Sequence, residues 1–203
     1  MGIKNRPFHC AMCGQITLFP CFVIENEEEA FHWSREEPCM NEGRGQMCRH
    51  CGYVNDTIDT PLPKGVDEAW LHSKTYIACD GMDIDSESAH MHYRLYLVRM
   101  MADDPNGAMM ALINVGSECH NLGRSDLMEK YYSKAADLAY SLFTTTGDWK
   151  YFYPWTILME RMERFDELIA KTEGLVSPEE QKLWGRFLES HRKAARVKAR
   201  SKK

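Results

Sequence analysis

Two patterns of apolar and polar residues share this chain. Up to about residue 55 the apolar positions come in short runs of strand length, QITLFPCFVI at 15–24 and AFHWS at 30–34, separated by polar loops. From about residue 66 they recur at spacings of three and four, the period of an amphipathic helix. That period predicts helices near 66–79, 87–103, 107–122, 125–143, 148–162, 164–173 and 178–198. Ser86 suits the N-cap of the second, and DDPNG at 103–107 ends it. Ser177-Pro178-Glu179-Glu180 combines a cap, a proline at the first helical position and acids in the first turn. The two regimes meet at TPLPKG, 60–65, where Pro61, Pro63 and Gly65 interrupt regular structure. The expected organisation is a small β module over 1–59 and a helical module over 66–203.

The cysteines give the first module its chemistry. Six of the eight lie within residues 1–55. CAMCG at 10–14 and CRHCG at 48–52 are the same unit, Cys-x-x-Cys-Gly, with 34 residues between the two pairs. A Cys-x-x-Cys turn aims two thiolates at one point, and the glycine behind it takes a positive φ at little steric cost. Two such turns supply four thiolates in a tetrahedron, the arrangement of structural zinc. Cys10, Cys13, Cys48 and Cys51 are therefore the expected ligands of one Zn2+ ion. Four protein thiolates leave no position for a reactive water, so the expected metal is structural. A module of this size has a small core, and a metal supplies what burial does not. Either pair alone also fits a thioredoxin-type redox motif, but such a pair sits in a βαβ pattern that this sequence lacks.

Cys21 lies in an apolar run and reads as a core residue. Cys39, in EEPCMNEGRG, has no partner at ligand spacing, and its part in the metal site is open. His9 and His50 adjoin the ligand cysteines and read as solvent-facing or hydrogen-bonding groups. Cys79 and Cys119 fall in helices as packing residues. CDGMDIDSE at 79–87 is acidic but lacks the spacing of a calcium loop, and His90 and His92 diverge on a helix. ENEEE at 25–29 reads as a solvated turn, and YFYPW at 151–155 as aromatic core or an anchor for a protein partner.

The stretch MMALINVGSECHNLGRSDLMEKYYSKAADLAY, 109–140, places Leu112, Val115, Gly116 and Cys119 on one helical face. Gly123 makes a turn, and Met128, Tyr132 and Ala135 form the facing stripe. This spacing resembles the tetratricopeptide repeat, with Cys119, Met128 and Tyr140 where that repeat carries tyrosine, alanine and proline. A shift of 34 residues finds no second copy. Trp149, Phe152 and Tyr153 ahead of Phe165 and Ile169 suggest a degenerate pair.

Taken together, the layout resembles an uncharacterised bacterial family that joins an N-terminal zinc ribbon to tetratricopeptide-like helices. The residues that carry the resemblance are Cys10 and Cys13, then Cys48-Arg49-His50-Cys51-Gly52-Tyr53, then WLHSKTYIAC and ALINVGSECHNLGRSDLMEKYYSKAADLA. Ala11 and Arg49 stand where such knuckles commonly hold proline. The resemblance implies a small β zinc ribbon followed by an all-α, tetratricopeptide-like stack, and it implies no activity.

Charge narrows the partners. The net charge is −5, but RKAARVKARSKK at 192–203 carries seven Lys or Arg and no acid. The remainder holds 18 basic against 30 acidic residues, −12, which disfavours nucleic-acid binding by the folded body. No apolar run is long enough to span a membrane and the N-terminus has no signal-peptide core, so the expected compartment is the cytoplasm. The expected function is a non-enzymatic adaptor whose helices bind another protein. Two alternatives stand beside it: a nucleic-acid-binding regulator using the ribbon and basic tail, and a thiol-disulfide oxidoreductase using one cysteine pair.

Overall fold

The computed structural model describes residues 2–23 and 45–172, together with 189, 190, 193, 196 and 197. The expected strand at 30–34, the turn at 25–29, Cys39 and the start of the last helix at 177 lie outside the described residues, as does most of the basic tail. Contacts divide the chain into two compact units, Met1–Met128 and Glu129–Lys203.

The first unit opens with two antiparallel hairpins. Strand β1, Gly2–His9, pairs with β2, Ile16–Val23, in a register running from Gly2 opposite Val23 to His9 opposite Ile16. Alternation along β2 turns Thr17, Phe19 and Cys21 inward and leaves Ile16, Leu18 and Pro20 exposed. The second hairpin is much shorter: β3, Gln46–Met47, pairs with β4, Val54–Asn55. Each cysteine pair forms the tip of one hairpin.

Helices follow. The single helix expected over 66–79 is instead two short pieces, a 3-10 turn at Glu68–His72 and helix α1, Lys74–Ala78. The break is Ser73, which is extended (φ −70°, ψ 152°) and whose Oγ accepts the Tyr76 N–H at 3.2 Å. Cys79, Asp80 and Gly81 then take left-handed backbone angles and turn the chain toward α2, Glu87–Met101, whose N-cap is Ser86. DDPNG ends α2 and also starts α3, Pro105–Asn121: Asp104 accepts the Gly107 N–H at 2.9 Å and Pro105 sits at the first helical position. Helix α4, Ser125–Thr146, begins in this unit.

One core joins strands to helices. Cys10, Phe19, Cys21, Cys48, Tyr53 and Ile58 pack with Leu71, Tyr76 and Val98, while Leu62 and Val66 press against them from the chain between. A second cluster unites Val54 with Leu95 of α2 and Ala111 of α3. The segment 60–65, where the sequence suggests a division between modules, therefore runs along one shared core.

The second unit holds the rest of α4 with α5, Trp149–Arg161, and α6, Phe165–Thr172. Its centre is aromatic: Phe143, Trp149, Phe152 and Trp155 stack edge to face or tilted with centroids 4.8–5.3 Å apart. Within YFYPW, Tyr151, Phe152 and Trp155 are buried and Tyr153 is 53% exposed.

The helical turns repeat a single geometry. After α3, the N–H groups of Leu122, Gly123 and Arg124 donate to the carbonyls of Glu118, His120 and Cys119. After α5, those of Met162, Glu163 and Arg164 donate to Leu158, Glu160 and Met159 in the same pattern. The middle residue is left-handed in both (φ 71° and 59°), a Schellman-type cap. These turns lie 40 residues apart, and the offset carries further. Buried Leu112, Val115, Gly116 and Cys119 correspond to buried Phe152, Trp155, Thr156 and Met159, while Arg124 and Asp126 correspond to Arg164 and Asp166.

Candidate metal centre

The two hairpin tips are built alike. In the first, Cys10 N–H donates to the Gln15 carbonyl (2.9 Å) and Gly14 N–H to the Cys10 carbonyl (2.9 Å). In the second, Cys48 N–H donates to Tyr53 (2.8 Å) and Gly52 N–H to Cys48 (2.8 Å). Gly14 and Gly52 have φ of 69° and 74°, the left-handed region in which a side chain is strained. The glycine after each second cysteine is thus explained by the turn.

These turns bring four sulphurs into one cluster. All four Sγ atoms lie within 4.8 Å of one another, with Cys10–Cys51 at 3.6 Å and Cys13–Cys48 at 3.7 Å. A disulfide needs about 2.05 Å, and the cysteines are free thiols. Four thiolates at about 2.3 Å from a central ion stand about 3.8 Å apart along the edges of the tetrahedron. The cluster has the dimensions to hold a metal ion, and among the described residues no other group of His, Cys, Asp or Glu does.

Burial is uneven across it. Cys10 and Cys48, the first cysteine of each pair, are 2% and 1% exposed, Cys51 is half-buried and Cys13 is exposed. Burial pushes the Cys10 thiol up, against the Cys13 and Met12 N–H groups that favour its thiolate. Burial also pushes Cys51 far above the usual thiol range. Cys48 goes the other way. Burial opposes its ionisation, yet the N–H groups of Cys51 and His50 and the thiols of Cys51 and Cys10 bring it down to about 6. Thr17 Oγ1 adds a long contact to the same sulphur at 3.9 Å.

A supporting shell fixes the tips, and the sequence patterns give no sign of it. The Tyr76 hydroxyl donates to the Gly52 carbonyl at 2.9 Å. Arg94 lies over the Tyr76 ring at 5.4 Å and points Nη1 at Met47 Sδ, 3.2 Å away. Ile58 connects the two tips: its N–H donates to Gln46 Oε1 (3.1 Å) and its carbonyl accepts the Ala11 N–H (2.8 Å). Asn55 Nδ2 donates to the Tyr53 hydroxyl at 2.8 Å, which donates onward to the Thr60 carbonyl at 2.8 Å. Tyr76, Arg94 and Gln46 carry no motif of their own. The one sequence signal is that Tyr76 falls between apolar residues near the first predicted helix.

No family model, curated protein or solved structure matches this chain. Its functional reading therefore stands on its own residues.

The other singled-out residues resolve as packing or surface groups. Cys21, Cys79 and Cys119 are buried away from the cluster, and Cys79 Sγ donates to the carbonyls of Tyr76 and His90. His9 and His50 are exposed, with His50 Nε2 3.3 Å from the Ile16 carbonyl oxygen. His92 is buried and His90 half-buried, and neither joins a metal-sized group. Among the described residues no helix is long and apolar enough to cross a membrane.

Proposed function

We propose that Cys10, Cys13, Cys48 and Cys51 hold one structural zinc ion, and that the chain is a non-enzymatic adaptor whose tetratricopeptide-like helices bind another protein. The observation that carries the metal reading is the cluster of four sulphurs at the two hairpin tips, with edges of 3.6 and 3.7 Å. All-sulphur tetrahedral donor sets suit zinc or iron–sulphur chemistry. Zinc is favoured because four protein thiolates close the site and the surrounding shell serves to fix geometry. The adaptor reading rests on the 40-residue correspondence of buried faces and turns from α3 to α6, which supports stacked helix pairs. A period of 40 rather than 34 also accounts for the missing copy at the shorter shift.

Elemental analysis tests the metal. One zinc per chain in the wild type, and less than a tenth of that in Cys10→Ser and Cys48→Ser, is the expected result. A coloured, iron-containing protein would replace zinc with iron. No metal in a folded wild type would sink the structural site and bring the redox use of a cysteine pair to the front.

A further inference from the structure

The four thiols of the cluster differ in what can reach them. Cys10 and Cys48 are 2% and 1% exposed and lie inside the shared core. Cys13 is exposed, and with Cys51 it lines a cavity of about 120 Å³. The remaining walls are Met12 and Leu71 on the apolar side and Glu68 and His72 on the polar side. This space opens beside the 3-10 turn at Glu68–His72, so the turn that walls it belongs to the same unit as both cysteine tips. A liquid-like water occupies about 30 Å³, so the cavity takes a molecule of a few heavy atoms. Its sulphur-bearing wall joins the most exposed thiol of the cluster to a half-buried one.

We infer that Cys13 is a modification site, the point at which a small electrophile such as a peroxide reaches the cluster through the cavity beside Met12, Leu71 and His72, and that Cys48 is the thiol that closes a disulfide with it. The inference deepens the metal reading and rests on it for one consequence, metal release. In the first step the Cys13 thiolate attacks one oxygen of hydrogen peroxide. An S–O bond forms, the O–O bond breaks, and the departing hydroxide takes a proton from water to leave as water. In the second step the Cys48 sulphur, 3.7 Å from Cys13 Sγ, attacks the sulphenic sulphur. An S–S bond forms, the S–O bond breaks, and the second hydroxide leaves as water after taking a proton. Two thiolates together lose two electrons and the peroxide gains both. Two donors then remain of four, too few to retain the ion.

The competing route is less well placed. Cys10 and Cys51 are as close, at 3.6 Å, but Cys10 is sealed in the core and Cys51 is only half-buried at the cavity wall. Reaction starting at that pair needs the hairpin tip to open first. A thiol that is accessible in the folded state reacts without that step.

The test uses the full chain as purified, after its metal content has been measured. One sample receives limiting iodoacetamide and a second receives limiting hydrogen peroxide, with metal release followed by a coloured chelator. Peptide mass mapping then locates labels and crosslinks, counting Cys39 separately. The expected result is at least about tenfold more label on Cys13 than on Cys10 or Cys48, and a Cys13–Cys48 crosslink that grows in step with metal release. Equal labelling of the four thiols, or a first crosslink that leaves Cys13 reduced, overturns the inference. A crosslink from Cys13 to a cysteine other than Cys48 keeps the entry point and overturns the closing partner. A chain purified without metal, yet labelled first at Cys13, supports the site while removing the metal reading.

Discussion

The two cysteine hairpins share their turn geometry and differ in what stands behind them. The first has strands of eight residues, Gly2–His9 and Ile16–Val23, and a tip where the space around Gly14 is open. The second has strands of two residues, and its tip is held from behind by helices. Tyr76 of α1 bonds the Gly52 carbonyl, and Arg94 of α2 reaches Met47 and lies against Gly52. Long strands let the first hairpin hold its own shape, whereas strands of two residues fall short of independent stability. The helices supply the difference. Ile58 then ties one tip to the other through Ala11. In this arrangement the second tip is a fixed wall and the first is a part clipped to it, with a metal ion as the strongest fastening.

Removing the metal tests that asymmetry most severely. Structural zinc sites are worth on the order of 10 kcal/mol in small peptides, so chelation should unfold or loosen the ribbon at moderate temperature. The comparison predicts where loosening starts. Hydrogen exchange should show amide protection at Ala11 and Gly14 falling at least about tenfold further than at Gly52 and Tyr53. Equal loss at both tips would mean that Tyr76 and Arg94 anchor nothing.

Alanine at the two glycines gives the next largest effect. Gly14→Ala puts a side chain into left-handed backbone with nothing within 4 Å, so strain alone acts, about 1–2 kcal/mol. Gly52→Ala adds a Cβ only 3.2 Å from Arg94 Nη1, and should cost more in denaturant unfolding of the metal-loaded chain. The reverse order would break the comparison. Tyr76→Phe is gentler: it deletes one hydrogen bond to the Gly52 carbonyl and should lower stability by about 1 kcal/mol. Thermal unfolding measures it, and exchange at the second tip should rise more than at the first.

Acidity gives the smallest and most specific effect, in the metal-free chain. The folded Cys48 pKa is brought down to about 6 from an ordinary value near 9.0. Its thiolate therefore stabilises the fold fully above pH 9, progressively less as pH falls, and not at all below about 6. Cys10 and Cys51, raised by burial, work in the opposite sense: their contribution is full below pH 9 and is lost as pH rises beyond it. The stability difference between wild type and Cys48→Ala should accordingly grow between pH 6 and pH 9. A difference independent of pH would mean that the N–H groups of His50 and Cys51 do not hold a thiolate.

The sequence made the tips legible because Cys-x-x-Cys-Gly is chemistry written in consecutive letters. The four cysteines converge as their spacing implies, and both glycines take the backbone angles that explain them. The wall behind the second tip was not legible, because Tyr76 and Arg94 come from segments whose approach depends on tertiary packing. The helix expected over 66–79 failed at Ser73, whose side chain caps a new helix where the apolar spacing runs on. Pro61, Pro63 and Gly65 looked like a linker because they interrupt secondary structure, yet Leu62 and Val66 keep that stretch against the core. The correspondence between α3 and α5 lies in burial and cap geometry rather than in letters. Leu112 answers to Phe152 and Gly116 to Thr156, so a search for repeated residues passes over it.

The brevity of β3 and β4 also orders events in time. A chain emerging from its N-terminus forms the first hairpin from contacts within its own first 23 residues, the kind of local pairing that takes microseconds. The second pair of thiols emerges by residue 51, but the groups that shape its turn arrive only with Tyr76 and Arg94. A nascent chain paused between those points carries four cysteines and presents two of them. Metal capture by all four then belongs to a later moment of synthesis, after the first turns of α2 have formed.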